Sequence, residues 1–293
     1  MDFAFHDFTI LAFTDMMSNS DELLSDPITV GVLILIGLAV GMAIGLSGLG
    51  GAPLLLPPLI LIGIPPQFVI GANLAFIFGT KLFASVLHSK EHNINWKALG
   101  FLLIPVVPAM LLASWVWTGV KDSYGSDALD TAILLVLGIL LLGTSLYMIK
   151  NNVLKKSNDT KEFSTHHNFT LEEKTTFLGT SGVISFITQI ASSGAGAMML
   201  PVLVKKCNCP PKHVAGTSVL FGVVISAVGT ILHFNLGTVP IFLVVFLLIG
   251  SIPGVFFGVK LVSRISPRKL IAIFSMIILA AAVFLLNRGF GVI

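Results

Sequence analysis

Two short runs of small residues hold backbone groups that could bind an anion. The run at 48–57, Gly-Leu-Gly-Gly-Ala-Pro-Leu-Leu-Leu-Pro, recurs 144 positions later at 192–201 as Ser-Ser-Gly-Ala-Gly-Ala-Met-Met-Leu-Pro. Each run interrupts apolar sequence, so each is expected to begin a helix with unbonded backbone N–H groups, near Pro53 and near Ala197. Such helix N-termini attract anions through oriented amides and the positive end of the helix dipole. The alternative is that the small residues only allow helices to pack closely.

Lys81 is the one cation inside a predicted membrane segment. An ionisable residue at membrane depth predicts a functional role, and the alternative is a long side chain that extends to the membrane interface. Its equivalent in the second copy is Ile225. Asn73 and Thr217 are equivalent by the same offset, and each follows small residues. These two side chains could bond substrate oxygens or tie helices together.

Further polar side chains flank the second small-residue run or end a segment. Gln189, Ser192 and Ser193 line the run. His88 and His233 end their segments and could gate the protein or transfer protons, because histidine titrates near neutral pH; interfacial caps are the alternative. The predicted substrate-binding residues are Gly48, Gly50, Gly51, Asn73, Lys81, Gln189, Ser192, Ser193, Gly194, Gly196, Thr217 and Ser218.

The composition argues against a soluble protein and against most catalytic chemistry. The 293 residues are 55% hydrophobic and 11% charged, whereas soluble domains carry about 25% charged residues. Apart from Asp127 and Asp130 in the first turn of one segment, the predicted segments contain no Asp or Glu, which argues against a carboxylate proton relay. We expect no enzyme activity, cofactor, metal or nucleic-acid partner. The expected partners are a small anion and the lipid bilayer, and homo-oligomerisation stays open.

About ten hydrophobic segments predict an all-α polytopic membrane protein. The second segment of each half is too short to cross as a helix alone. An extended glycine-rich stretch followed by a half-helix would reach roughly 34 Å in the first half and roughly 31 Å in the second, compared with about 30 Å of hydrocarbon. Such backbone must face protein or a water-filled cavity. The segments are approximately 28–47, 53–64, 67–88, 97–118, 127–149, 175–191, 197–206, 212–234, 239–262 and 269–287.

The positions of Lys and Arg predict how these segments are oriented. With ten crossings and the N-terminus outside, 14 of the 17 basic residues lie on the cytoplasmic side. If the two short segments only re-enter the membrane, the split is eight against eight, so the positive-inside rule favours ten crossings. Five crossings per half make the two repeats inverted, with both termini outside. The predicted organisation is an acidic interfacial segment at 1–27, a first repeat at 28–150, a cytoplasmic linker at 151–173 and a second repeat at 174–293.

The order and spacing of these features resemble the sulfite exporter TauE/SafE family. The resemblance rests on each glycine-rich break with its proline and apolar half-helix, and on Val-Ala-Gly-Thr-Ser at 214–218 and Ile-Gly-Ala-Asn-Leu at 70–74. It covers about 30–290 and implies export of small sulfur-containing anions such as sulfite or organosulfonates. Leu49 interrupts the expected glycine run and the second copy begins Ser192-Ser193, so strict sulfite specificity does not follow.

The predicted mechanism is alternating access around one anion at the membrane midplane, between the two half-helix N-termini. A negative potential inside the cell drives an anion outward by about 2.3 kcal/mol per charge per 100 mV, so export needs no coupling ion. We expect the cytoplasmic membrane as the location, because 1–26 has no Lys or Arg and lacks the basic start of a signal peptide. An anion channel and a proton- or sodium-coupled importer are the alternatives.

Overall fold

The computed structural model describes residues 27–47, 52–90, 94–154, 169–192, 195–207, 211–262 and 267–291. The N-terminal segment 1–26 and most of the two predicted extended stretches, 48–51 of 48–52 and 193–194 of 192–196, lie outside these residues. Ala52, Ala195 and Gly196 are helical and not extended, which corrects that part of the prediction. The described part is helical and contains no strand. Its helices are α1 (Pro27–Ser47), α2 (Ala52–Leu61), α3 (Pro66–Lys90), α4 (Trp96–Leu103), α5 (Val106–Leu154), α6 (Leu171–Ala191), α7 (Ala195–Lys206), α8 (Pro211–Asn235), α9 (Ile241–Val262) and α10 (Pro267–Gly289).

Local sequence explains where several helices begin. α1, α3, α8 and α10 each start at a proline, whose fixed φ and missing N–H suit the first helical position. α6 starts with a capping box, in which the Thr170 hydroxyl accepts from the Glu173 N–H and the Glu173 carboxylate accepts from the Thr170 N–H. The Asn95 side chain caps α4 by accepting from the Ala98 N–H at 3.0 Å.

Within the described ranges, five helical stretches are long and apolar enough to cross a membrane. They are Pro27–Leu46, Trp96–Lys150, His213–Asn235, Ile241–Gly258 and Ala272–Gly289. The short helices α2 and α7, of 10 and 12 residues, lie where the sequence predicts half-helices. The number of ten crossings and the inversion of the repeats stay predictions.

The helix α5 is one long element with a single interruption. If straight, its 49 residues would extend over roughly 74 Å, more than twice the hydrocarbon thickness of about 30 Å. Gly125 breaks it with φ 84° and ψ 173°, a conformation that glycine adopts without a steric penalty. We call 106–124 the first arm and 126–154 the second arm. The sequence predicts a loop over 119–126, and the structure reduces this loop to Gly125.

Helices from the two predicted repeats pack against each other in four pairs. α1 packs on α9, α3 on α8, and the second arm of α5 on α10. The first arm, together with α4, packs on α6. In every pair one helix lies before residue 155 and the other after residue 170. The two halves of the chain therefore interlock, and each half packs helices against the other half.

The closest of these contacts, between α1 and α9, is lined by glycine. A Cβ on Gly41 would meet the Ser251 carbonyl oxygen, and a Cβ on Gly254 would meet the Leu38 carbonyl oxygen. Gly37, Gly250 and Gly258 face backbone atoms of the opposite helix in the same way. In membranes such small residues allow two backbones to approach, and van der Waals contact then holds the helices together.

Two charged side chains hold the turn between α2 and α3. The Asp130 carboxylate accepts from the Gln67 N–H at 3.1 Å, in the first turn of α3. Arg288 donates to the Ile60 carbonyl oxygen at 2.8 Å, in the last turn of α2. Each charge has the sign that its helix end favours. α5 and α10 thereby fix the end of the half-helix α2.

We expect Gly41→Ala to destabilise the protein by about 1–3 kcal/mol, because its methyl group would overlap backbone that cannot move without separating α1 from α9. Gly31→Ala in the same helix is the matched control, since a Cβ there meets nothing within 4 Å. Thermal unfolding of the purified protein in detergent measures both. Equal melting temperatures for the two variants would contradict the assigned contact.

Candidate functional site

Asn73 on α3 joins the two halves of the chain at the break after α6. Its side-chain N–H groups donate to the Ser192 carbonyl oxygen at 3.2 Å and to the Ser192 hydroxyl at 3.0 Å. Both residues are fully buried. Ser192 is left-handed (φ 47°, ψ 31°), and its N–H donates to the Thr188 carbonyl oxygen at 2.7 Å. Asn73 and Ser192, which the sequence analysis predicts separately as substrate-binding residues, are thus in direct contact.

Gln189 lies one turn before Ser192 and ties α6 to the first arm of α5. Its amide nitrogen donates to the Ser114 hydroxyl at 2.9 Å. Its side-chain oxygen is buried and accepts no hydrogen bond from the described residues. A buried acceptor without a donor costs about 1–3 kcal/mol, so this oxygen is available to a donor on a ligand or to water.

His233, at the end of α8, contacts the same turn of α6. Its Nε2 lies 3.0 Å from the Gln189 carbonyl oxygen, and its Nδ1 lies 2.8 Å from the Thr238 hydroxyl. The ring packs edge to face on Trp117, with centroids 4.9 Å apart. His233 is fully buried, so its ring faces other parts of the protein. The side chain of His88 lies outside the described residues.

Lys81 is buried between α3 and α8. A Cβ on Gly222 would lie 2.6 Å from its ammonium nitrogen, so the absence of a side chain at Gly222 provides the space for the charge. No hydrogen bond or ion pair to Lys81 is found within the described ranges. Lys81 is eight residues after Asn73, about 12 Å along α3. The structure therefore separates the cation from the Asn73–Ser192 contact by about two helical turns.

Thr217 forms a second contact between the halves. Its hydroxyl accepts from the Asn95 N–H at 2.9 Å, and the Asn95 amide donates to the Cys207 sulfur at 3.5 Å. Asn95 therefore connects α4, α8 and the end of α7. Sequence reasoning missed Asn95, although a helix-capping asparagine before Trp96 was a visible signal.

Of the remaining residues predicted to bind substrate, two lie in the part of the chain that the structure describes and five lie outside it. Ser218 is buried on α8, and Gly196 is the second residue of α7. The residues Gly48, Gly50, Gly51, Ser193 and Gly194 lie outside the described residues. The described helices next to them begin at Ala52 and Ala195, close to the starts expected from the sequence.

Comparison with known proteins gives consistent matches over almost the whole chain. The family model described as sulfite exporter TauE/SafE matches residues 33–285. The chain is similar to the probable membrane transporter protein YjnA of Bacillus subtilis, with 31% identity over 257 residues that cover 87% of this chain and 98% of that protein. A probable membrane transporter protein of Methanocaldococcus jannaschii is 28% identical over 274 residues, covering 87% and 94%. No solved structure matches.

We expect Asn73→Ala and Ser192→Ala to be energetically coupled, because they remove two ends of the same buried contact. A double-mutant cycle should give a coupling free energy of about 0.5–1.5 kcal/mol, the contribution of one hydrogen bond. Unfolding in detergent is the measurement. Ser145→Ala is the control partner for Asn73→Ala, since the Ser145 hydroxyl bonds only within its own helix at Leu142. Additive effects in the Asn73–Ser192 cycle would contradict the contact.

Proposed function

The chain belongs to the sulfite exporter TauE/SafE family of membrane transporters, and we propose that it exports small sulfur-containing anions, sulfite or an organosulfonate, across the cytoplasmic membrane. The family membership confirms the resemblance inferred from the sequence. The apolar helices and the family together make this a multi-pass membrane protein. The substrate, the direction and the mechanism are the proposal.

The observation that carries the alternating-access mechanism is the pairing of helices between the halves. Counting five segments in each predicted repeat, the first helix of each half packs on the fourth of the other: α1 on α9, and α6 on α4 and the first arm of α5. The third helices pair with each other, as do the fifth ones. A pseudo-twofold axis produces this exchange of partners. It supports two inverted repeats that rock around a central site.

Three kinds of group support an anionic substrate. The half-helices α2 and α7 begin at Ala52 and Ala195 and would present backbone N–H groups and positive dipole ends. Lys81 contributes a buried positive charge. The Gln189 side-chain oxygen would accept from the hydroxyl of bisulfite, and from water when the anion has no donor, as in methanesulfonate.

The proposed direction of transport follows from the negative charge of the substrate and from the predicted orientation of the protein in the membrane. With the basic residues on the cytoplasmic side, the linker lies inside and both termini lie outside. A membrane potential that is negative inside then drives an anion outward by about 2.3 kcal/mol per charge per 100 mV.

Flux of sulfite and of methanesulfonate into proteoliposomes, at set membrane potentials, tests the function. We expect saturable flux with counterflow that follows the potential in the absence of proton or sodium gradients. Ohmic current without saturation would identify a channel instead. Flux that requires a proton or sodium gradient would contradict the proposed uncoupled exporter and support a coupled importer.

We expect Lys81→Gln to lower kcat/KM for the transported anion by about tenfold or more, since about 1.4 kcal/mol of charge attraction corresponds to a factor of ten. Gly222→Ala should raise KM with little loss of stability, because its methyl group displaces only the flexible end of Lys81. Gly229→Ala on the same helix is the control, since its methyl group meets the side-chain ends of Met110 and Leu74. Wild-type kinetics for both Lys81→Gln and Gly222→Ala would remove Lys81 from the site.

A further inference from the structure

The surroundings of His233 satisfy its hydrogen-bonding groups in two protonation states. The ring is fully buried, and both ring nitrogens have partners. Nε2 faces the Gln189 carbonyl oxygen at 3.0 Å. Nδ1 faces the Thr238 hydroxyl at 2.8 Å, and that hydroxyl also lies 3.1 Å from the carbonyl oxygen of His233 itself.

In the neutral state the partners determine the tautomer. A peptide carbonyl oxygen can only accept, so Nε2 carries the hydrogen and donates to Gln189. Nδ1 is then an acceptor, and the Thr238 hydroxyl donates to it. The His233 carbonyl oxygen keeps the Thr238 N–H as its donor, at 3.0 Å. Both ring nitrogens, the Thr238 hydroxyl and the His233 carbonyl oxygen therefore have partners.

In the cationic state a rotation of one hydroxyl is sufficient. A proton that arrives from solvent binds the lone pair of Nδ1, and Nδ1–H donates to the Thr238 oxygen. The hydroxyl hydrogen of Thr238 turns to the His233 carbonyl oxygen, which is within hydrogen-bond distance. Both ring nitrogens then donate to oxygen atoms, as an imidazolium requires. The cation therefore keeps every bond, although burial away from water opposes its charge.

The cluster touches both sides of the Asn73–Ser192 contact. The Gln189 carbonyl oxygen that accepts from His233 is three residues before Ser192. A Cβ on Gly71, two residues before Asn73, would meet the Thr238 carbonyl oxygen. The His233 ring thus contacts α6 about one helical turn before Ser192, and Thr238 lies against α3 next to Asn73.

The groups packed on the ring from each neighbouring element are not titratable near neutral pH. α5 contributes Trp117, α6 contributes the Gln189 carbonyl oxygen, and the segment after α8 contributes Thr238. Beyond them, Lys121 and Asp122 are exposed one turn past Trp117 on α5. Asp130 bonds the start of α3, and Lys81 is about 15 Å from Gly71 along α3.

We propose that His233 and Thr238 form a proton-binding site and that the proton and the transported anion favour each other's binding. The anion half of this statement rests on the proposed function. None of the described groups in contact with the ring is a carboxylate, so burial makes the cation unfavourable alone, and an anion held near Asn73 and Ser192 offsets that penalty. By linkage, acidification raises the affinity for the anion by the same factor as the anion raises proton binding.

Trp117 provides a direct readout that needs no transport. A protonated imidazole quenches a neighbouring indole more strongly than a neutral one. Of the three tryptophans, Trp96 and Trp115 are exposed and Trp117 is buried against His233, so Trp96→Phe with Trp115→Phe leaves one reporter. We expect its emission to fall on acidification and the fall to move to higher pH when methanesulfonate, whose charge is constant, is added.

Variants at Thr238 separate the proton site from simple packing. Thr238→Ser keeps the rotating hydroxyl and should keep the quenching. Thr238→Val keeps the shape but removes the acceptor for Nδ1–H, so the quenching should move to lower pH. In transport, KM for methanesulfonate should fall about fivefold or more from neutral pH to the acidic end of the fluorescence transition in the wild type and Thr238→Ser. It should not depend on pH in Thr238→Val.

The outcomes distinguish this inference from the proposed function. Quenching that persists in His233→Gln, or does not move in Thr238→Val, would overturn the proton site. Quenching that does not respond to methanesulfonate while the wild type transports it would overturn the linkage. Absence of sulfite and methanesulfonate flux at every potential would instead reject the proposed function, and the fluorescence titration would still decide whether His233 binds a proton.

Discussion

A helix that ends in the interior of a protein must have its last carbonyl groups satisfied by other parts of the protein, because no water reaches them. The buried end of α6 meets this requirement with side chains from two other helices. Asn73 of α3 donates to the Ser192 carbonyl oxygen, and His233 of α8 lies against the Gln189 carbonyl oxygen. The polar residues at the centre of this protein are therefore structural partners of a broken helix. The same break places them around a candidate anion site.

This requirement also explains why the two halves interlock. The partners of α6 come from α3 in the first half and from α8 in the second, so the break is completed only when both halves are assembled. The glycine contact between α1 and α9 is a second place where the halves meet closely. Arg288 holds the end of α2 and Asp130 holds the start of α3 in a comparable way, with charges at helix ends.

The buried cation and the Asn73–Ser192 contact share one helix. Lys81 is about two turns along α3 from that contact, so α3 carries both a buried charge and a buried amide group. Gly222 then has a clear role, because it leaves room for the ammonium group next to α8.

The sequence by itself determined the membrane class, the family and most of the polar residues at the centre. Composition and the 144-residue offset are local or periodic signals, so they can be recognised in the sequence without a structure. The pairing of those residues was decided by the tertiary structure. Asn73 and Ser192 are 119 positions apart, and Gln189 and Ser114 are 75 apart, separations that no local pattern records. Ser114, Thr238 and Gly222 were missed because an ordinary serine, threonine or glycine gains its meaning only from the distant helix that packs on it.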